Sequence, residues 1–305
     1  MWYVIRLATY LRFGHPNFSE CSWIEKDILI PDSLTQVQYD TIYNIFSLVV
    51  ASQLFTSIFL IICLPRVLPR YRQAMTVAAI VCGIAAYHYF RIFNSFTDAF
   101  VTEAVGGRGE YVQVAGASFN EGYRYVDWLL TVPLLLLELV AVLALARKVQ
   151  SSLLTRLIPA AALMIALGYP GEMADDNLTR GIFGLLSSIP FAYILYVLFV
   201  ELTRSLERQP VTVRKTISLL RLLLLATWGV YPIAYLLPGI GIDGSDAWVG
   251  LQIGYSVADI LAKCLYGLVI YRIARMKSFF DDQAFAESEL SLEDSTSLKR
   301  SASTR

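Results

Sequence analysis

The chain has 305 residues, of which 56% are hydrophobic and only 16% are charged, and its 25 basic and 25 acidic side chains cancel. Soluble domains carry about 25% charged residues, and the mean hydropathy of +0.55 points away from them as well. This composition argues against a water-soluble enzyme, a disordered protein and a nucleic-acid-binding protein, so we expect a membrane protein.

The first 40 residues precede any apolar run long enough to cross a bilayer. They lack the basic start, apolar middle and small-residue cleavage site of a signal peptide. Residues 1–13 mix aromatic and basic positions, which fits either a helix lying on the membrane surface or a disordered leader. We therefore predict that residues 1–40 form an N-terminal leader on the outer side.

Seven apolar runs of about 20 residues follow, each long enough to span a membrane. Between the second and third runs, 101–121 contains Gly106, Gly107 and Gly109, which predict a hairpin. The predicted fold is an all-α membrane protein, a seven-transmembrane-helix bundle over residues 41–277. The seven runs are 42–63, 75–99, 122–145, 152–170, 181–202, 216–238 and 248–271.

Lysine and arginine fall mainly on one side of these spans. One side collects thirteen basic residues, whereas the loops of the other side hold only Arg108 and Arg180. Basic loops remain cytoplasmic, so we predict that the N-terminus is outside and the C-terminus inside. Residues 278–305 combine an acidic stretch with Ser, Thr, Lys and Arg, which predicts a disordered cytoplasmic tail.

Several charged side chains fall within the spans, where each costs about 2.5–3.5 kcal/mol and needs a partner or a function. His88 and Arg91 on the second span are weaker candidates for such a function. The third and seventh spans carry the five that are hardest to place elsewhere: Arg124, Asp127, Glu138, Asp259 and Lys263.

Helical geometry orders the polar residues of the third span. Asp127 and Glu138 are eleven residues apart, so they point within about 20° of each other and lie about 16 Å apart. Thr131 lies between them on the same face, and Arg124 precedes Asp127 by one turn. From the outer side, the predicted order is Arg124, Asp127, Thr131 and Glu138.

On the seventh span, Asp259 and Lys263 share a face at i,i+4. A structural ion pair would gain about 0.2–0.5 kcal/mol, which does not offset the burial of two ions. A lysine in an apolar site can instead react with an aldehyde to form a Schiff base. Protonation would then create a cation, with Asp127 and Asp259 as natural counterions.

Glu138 lies among leucines, where burial disfavours its charged form, so we expect it to be protonated at rest. Asp127, near two cations, should stay ionised. This arrangement predicts a proton donor on the inner side and an acceptor on the outer side of one lysine. The alternative for Glu138 is a carboxylate that extends to the cytoplasmic rim.

The segments Tyr123-Arg124-Tyr125-Val126-Asp127-Trp128-Leu129-Leu130-Thr131-Val132-Pro133-Leu134-Leu135 and Ala258-Asp259-Ile260-Leu261-Ala262-Lys263 carry a family resemblance. From about residue 40 to 277 the chain resembles the microbial rhodopsins, and most closely their proteorhodopsin and xanthorhodopsin branch. The resemblance implies all-trans retinal bound covalently to Lys263 as a protonated Schiff base. It makes Asp127 the main counterion and proton acceptor, and Asp259 the second counterion.

The resemblance also implies roles for other polar residues. Asp127, Thr131 and Glu138 match the pattern of outward proton pumps, in which Glu138 would return a proton from the cytoplasm. Arg124 would organise the outer exit path. His88 matches a histidine that hydrogen-bonds the acceptor aspartate, although a lone histidine is more often a packing residue.

By the same resemblance, retinal-pocket positions fall on Trp128, Trp228, Tyr231 and Pro232, whereas aromatic residues at helical spacing are otherwise usually core. Leu135 occupies the position that separates green from blue absorbers, and leucine predicts green absorption. Gly184 matches the small residue that opens a window for a carotenoid antenna in xanthorhodopsin, although helix packing also explains such glycines.

The function implied is a light-driven outward proton pump, an ion transporter rather than an enzyme, spanning the cell membrane several times. Its partners would be the lipid bilayer, the transported proton and further copies of itself in a homo-oligomer, with no nucleic acid. The alternatives are a sensory rhodopsin that signals through a partner protein and a seven-span receptor or retinal-free transporter. The four cysteines fit neither a CxxC pair nor a disulfide-dense pattern, and no metal site is predicted.

Overall fold

Seven long helices dominate the computed structural model, which describes residues 30–105, 108–117, 119–174, 176–207, 209–236 and 244–291. All seven are long and apolar enough to cross a membrane, so the predicted seven-helix bundle is confirmed. The helices are α1 (Gln36–Ile62), α2 (Pro69–Ala99), α3 (Gly122–Val142), α4 (Arg147–Glu172), α5 (Asn177–Tyr196), α6 (Val211–Leu236) and α7 (Ser245–Asp281).

Two of these helices contain a π-helical turn. α5 continues through the π-helical turn Val197–Glu201 into Leu202–Leu206. α7 consists of an α-helix over Ser245–Asp259, the π-helical turn Ile260–Leu265 and a second α-helix over Tyr266–Asp281. Such turns are rare and occur often at functional sites.

Local sequence signals explain where helices begin. Thr35 and Gln38 form a capping box at the start of α1, because each side chain satisfies a free backbone N–H. Pro69 opens α2, where its fixed φ suits the first turn. Asp176 caps α5 by accepting from the Thr179 amide at 2.7 Å. Hydrogen bonds from Thr179 hold the pKa of Asp176 below its usual value.

A small antiparallel sheet covers the end of the bundle that we call the outer end, following the predicted orientation. Its order is β1-β3-β2, from Ser33–Thr35 (β1), Phe100–Val105 (β2) and Arg108–Gln113 (β3). The β2–β3 hairpin confirms the excursion predicted in 101–121, whereas β1 was not predicted. Gly106 and Gly107 lie outside the described residues.

Helices α2, α3 and α7 have the most buried spans of the bundle. Neighbouring helices from α1 to α5 pack in chain order, and α7 closes the bundle by packing against α1, α2, α3 and α6. A large apolar core fills the inner half, and a second, aromatic core containing Phe46, Phe96, Phe119 and Trp248 lies beneath the sheet. This arrangement places the charged residues of α3 and α7 face to face.

The two ends of the chain differ from the prediction where they are described. α1 begins at Gln36, inside the predicted leader, and residues 1–29 lie outside the described part of the chain. The predicted disordered tail is wrong for 278–291, since α7 runs to Asp281 and 283–291 is helical. Glu289 ties this last helix back by pairing with Arg66 at 3.2 Å and Arg275 at 2.8 Å.

Candidate functional site

Lys263 lies in the middle of the bundle, in the π-helical turn of α7, and is only 2% exposed. Its Nζ donates to Oδ2 of Asp127 at 2.6 Å and to Oδ1 of Asp259 at 2.7 Å. Both carboxylates are equally buried. The structure therefore brings together the lysine and the two acids that the sequence singled out on separate helices.

The two carboxylates have different surroundings. Asp259 also accepts from the Tyr89 hydroxyl at 2.6 Å and from the Tyr231 hydroxyl at 2.7 Å. Asp127 has Lys263 as its described side-chain partner, and its Oδ1 has no hydrogen-bond partner among the described residues. Asp127 thus keeps one oxygen open, whereas both oxygens of Asp259 are occupied.

A hydrogen-bonded network runs from Asp259 to the outer end. Arg124 is almost fully buried and donates to the Tyr89 hydroxyl at 3.1 Å and to Oε2 of Glu121 at 3.2 Å. It also donates to Gln252, whose amide nitrogen donates to Oε1 of Glu121 at 2.9 Å. The Glu121 side chain is 24% exposed, so the network reaches the outer surface there.

Glu138 lies in an apolar environment, in contrast to the hydrogen-bonded network around Arg124. It is 0% exposed, and neither carboxyl oxygen has a hydrogen-bond partner among the described residues. Leu135 and Leu139 flank it within the apolar core of the inner half. This burial rules out the alternative in which Glu138 extends to the rim of the bundle.

Neither Thr131 nor His88 hydrogen-bonds the Asp127 carboxylate in the part of the chain that the structure describes. The Thr131 hydroxyl donates to the main-chain oxygen of Asp127 at 2.8 Å rather than to its carboxylate. His88 is buried, but neither its Nδ1 nor Oδ1 of Asp127 has a partner in the described chain. The predicted hydrogen bond between His88 and Asp127 is therefore not formed: Oδ1 of Asp127 is open, and Oδ2 accepts from Lys263. Any role of His88 stays a prediction.

The sequence also placed the charged side chain of Arg91, with His88, inside the second span. Instead, Arg91 lies on the surface and donates to the Tyr123 hydroxyl at 3.0 Å, with its guanidinium 5.4 Å from the Tyr123 ring. Arg91 follows the buried His88 by three residues, so its side chain is rotated by about 60° around the helix and is exposed.

A cavity of about 350 Å³ adjoins Lys263. Each residue predicted for a chromophore pocket lines this cavity, and so does Gly184. Further lining residues from α4 and α5 carried no individual sequence signal, because any apolar side chain can line an apolar pocket. The predicted residues are Trp128, Leu135, Trp228, Tyr231 and Pro232; the additional ones include Met164, Ile165, Gly168, Ser187 and Phe191.

These residues fit a covalently bound retinal. The cavity is mostly apolar along its walls, which suits a polyene, and the amine of Lys263 lies at its boundary. A cation formed at that nitrogen would already contact Asp127 and Asp259. A size of about 300–1,000 Å³ is usual for pockets that enclose small molecules.

The chain matches the family model described as bacteriorhodopsin-like protein over residues 41–276. It belongs to that family. It is 28% identical to the green-light absorbing proteorhodopsin of Gamma-proteobacterium EBAC31A08, over 76% of this chain and 86% of the relative. It is 33% identical to archaerhodopsin-2 of Halobacterium sp. (strain aus-2), over 66% of this chain and 72% of the relative.

Solved structures agree with this assignment. The crystal structure of xanthorhodopsin, a light-driven ion pump with dual chromophore, shares 45% identity and a TM-score of 0.78, covering 83% of this chain and 99% of that one. The crystal structure of thermophilic rhodopsin shares 42% identity and a TM-score of 0.79 over the same shares. The predicted resemblance to the proteorhodopsin and xanthorhodopsin branch of microbial rhodopsins is confirmed.

Sequence reasoning missed Glu121, Gln252 and Tyr89 as parts of the site. Glu121 lies three residues before Arg124, and Gln252 lies two turns before Asp259 on the same helix face. Both spacings were visible in the sequence. The position of Tyr89 depends on how α2 packs against α7, which no spacing within one helix reveals.

Proposed function

We propose that this rhodopsin is a light-driven outward proton pump of the cell membrane, with retinal bound covalently to Nζ of Lys263. The contact of this buried nitrogen with two carboxylates, beside an apolar cavity, carries the proposal. Retinal, when bound there, supplies the absorption of light and an isomerisation that alters the proton affinity of the nitrogen.

Asp127 accepts the proton from the Lys263 nitrogen. The two groups are 2.6 Å apart, within the reach of a direct transfer, and Oδ1 of Asp127 has no competing partner in the described residues. Asp259 accepts from Tyr89 and Tyr231 as well as Lys263, and hydrogen bonds of this kind favour a charged carboxylate. Asp259 therefore remains a counterion while Asp127 changes its protonation state.

The Arg124 network provides the path by which the proton is released to the outer side. Arg124 contacts Tyr89 on the side of Asp259 and Glu121 on the side of the outer surface. A proton that leaves Asp127 moves along the groups that Arg124 holds in place, and it reaches solvent near Glu121. The positive charge of Arg124 opposes the return of the proton by the same route.

Glu138 returns a proton to the Lys263 nitrogen from the inner side. It shares the face of α3 with Asp127, about 16 Å further inward. A fully buried carboxyl group without a partner favours the neutral acid, so Glu138 holds a proton ready for transfer. It then refills from the cytoplasm, and one proton has moved outward. A sensory receptor would have no task for this acid.

Leu135 lines the cavity and supports green absorption as the leucine-type residue. Gly181 and Gly184 line the cavity on the side of α5, where Gly184 would admit a carotenoid antenna. Protein supplied with all-trans retinal should peak in the green. With a hydroxylated carotenoid added, its excitation spectrum should show energy transfer; a blue peak or absent transfer would overturn the respective proposal.

The transport proposal is tested with cells that express the protein and are supplied with all-trans retinal. Illumination should acidify the suspension, and a protonophore should abolish the signal. A protein with no photochemical proton movement, or with steady alkalinisation, would contradict the proposed activity or its direction.

A further inference from the structure

A buried lysine near the inner end of α7 takes no part in the steps above. Lys277 is only 6% exposed, and its Nζ donates to the Leu143 main-chain oxygen at 2.6 Å and to Oε1 of Gln209 at 2.9 Å. Both acceptors are neutral. Burying a cation against neutral partners is costly, so this lysine calls for an explanation.

The partners of Lys277 lie at two different helix ends. Leu143 is the residue at which α3 ends, and the chain then turns through Ala144, whose φ of 48° is left-handed. Gln209 lies between α5 and α6, and its amide nitrogen also approaches the Leu143 oxygen, at 3.5 Å. One ammonium group therefore ties α7 to the end of α3 and to the α5–α6 connection.

Lys277 lies in the same seam as Glu138, between α2, α3 and α7. Cys82 on α2 and Tyr266 on α7 are within electrostatic range of Glu138. Lys277 follows Tyr266 by eleven residues, and Tyr71 precedes Cys82 by eleven, so each pair shares a helix face within about 20°. The Lys277 nitrogen lies 5.3 Å from the centre of the Tyr71 ring.

The inner end of this seam opens to solvent beyond Lys277. The Tyr71 hydroxyl donates to Asp281, whose side chain is 29% exposed and also pairs with Arg70 at 3.1 Å. Toward Glu138 the same helix faces carry the buried apolar residues Met75 and Ile270. Lys277 thus lies where the polar surface of the seam gives way to its dry interior.

We propose that Lys277 is a gate on the path by which protons reach Glu138 from the cytoplasm. The inference rests on the proposed function, since it takes Glu138 as the donor that must be refilled. While the ammonium bridges Leu143 and Gln209, it closes the seam, and its charge repels an incoming proton. Reprotonation of Glu138 requires this bridge to break. Lys277 therefore acts through its position and does not carry the proton itself.

Lys277→Met tests the gate. Without the ammonium, the buried Leu143 oxygen keeps only the long 3.5 Å contact from the Gln209 amide, so water takes the place of the lysine nitrogen and hydration moves toward Glu138. Proton uptake after a light flash, followed with a pH-sensitive dye, should become about tenfold faster, because one hydrogen bond to a charged group no longer has to break. Unchanged or slower uptake would overturn the proposal.

Three variants control this experiment. Lys277→Arg keeps a cation and donors in place, so it should keep an uptake rate near that of the unmodified protein. Lys148→Met makes the same change at an exposed lysine at the start of α4 and should have no effect. Gln209→Ala removes one acceptor only and should accelerate uptake less than Lys277→Met, which tests the gate even where the latter folds poorly.

Infrared spectroscopy in the dark gives a readout independent of pumping. The carboxylic acid stretch of Glu138, assigned by its loss in Glu138→Gln, should shift to lower frequency in Lys277→Met as water reaches the acid. A band that stays in place contradicts the gate. If the unmodified protein moves no protons in light, the proposed function fails instead; if it pumps and Lys277→Met behaves like Lys148→Met, only the gate fails.

Discussion

The outer and inner halves of the bundle treat their charged groups in opposite ways. Outside Lys263, hydrogen bonds join Asp259, Tyr89, Arg124 and Glu121 without a break as far as the outer surface. On the inner side, Glu138 has no hydrogen-bond partner in the described chain. Asp127 of the outer half and Glu138 of the inner half lie on the same helix, α3.

This difference suits the two tasks that the proposed mechanism assigns. A connected network stabilises charge and offers a proton successive acceptors, which favours release on the outer side. A dry carboxyl group keeps its proton until the Lys263 nitrogen can take it. Direction would then come from the contrast between the halves rather than from any single residue.

Removing the amine between the halves should have the largest effect. Lys263→Ala leaves Asp127 and Asp259 buried without the cation that they share, and breaking such a pair costs about 3–5 kcal/mol. We expect no visible absorbance after addition of all-trans retinal, no light-driven acidification and a lower melting temperature. Lys148→Ala, at an exposed position, should behave like the unmodified protein. A pigment that still forms in Lys263→Ala would refute the attachment site.

Glu138→Gln should disable the inner half and spare the outer half. A glutamine cannot supply the proton, and loss of a positioned general acid slows proton transfer by about a hundredfold or more. Flash spectroscopy should show slow return of the proton to the Lys263 nitrogen, with unchanged transfer to Asp127. Glu207→Gln, at an exposed position near the inner end, is the matched control. Return kinetics insensitive to Glu138→Gln would remove the contrast and favour the sensory alternative.

The sequence predicts charged residues inside the spans but not the partners that reach them through packing between helices. Charges inside apolar spans are rare and costly, so Asp127, Glu138 and Lys263 stood out, and helical periodicity ordered them. The partners Tyr89 and Gln252 did not stand out in the sequence, because they contact Asp259 and Arg124 only through packing between helices. The π-helical turn at Lys263 leaves no mark in the apolar pattern.

The ends of the chain were harder to predict for a different reason. Ser33–Thr35 is too short to show strand periodicity, and it becomes a strand only because β3 lies beside it. Residues 283–291 are polar, as a disordered tail would be, yet they are helical in the structure. Glu289 contacts Arg66, which is 223 residues away in the sequence, and Arg275, which precedes it by 14 residues.

A smaller effect is expected at the outer end of the network. Glu121→Gln removes the charge that Arg124 and Gln252 share, although Glu121 is partly exposed, so solvent compensates some of the loss. We expect proton release to slow by about three- to tenfold, with transfer to Asp127 unchanged, as measured with a dye on the outer side.

Glu172→Gln is the matched comparison for Glu121→Gln. Glu172 belongs to a second outer pair, with Arg180 at 3.8 Å, and accepts from Tyr125 at 3.5 Å. Slower release in Glu172→Gln, together with normal release in Glu121→Gln, would move the exit from the Arg124 network to this second pair.

The smallest effect is expected at the rim of the inner half. Partial burial would raise the pKa of Glu289, but hydrogen bonds from Arg275 and Arg66 hold it below its ordinary value. A lowered pKa in the folded state means that the contribution to stability is present above the unfolded pKa, about 4.3, and is lost as the pH falls through the folded pKa. Glu289→Gln should therefore cost up to about 1 kcal/mol at pH 7 and nothing below that range. Melting curves at pH 7 and at a pH below the folded pKa of Glu289, with exposed Glu287→Gln as control, decide whether ion pairs stabilise the inner rim. A loss of stability that persists in acid would mean that packing stabilises it instead.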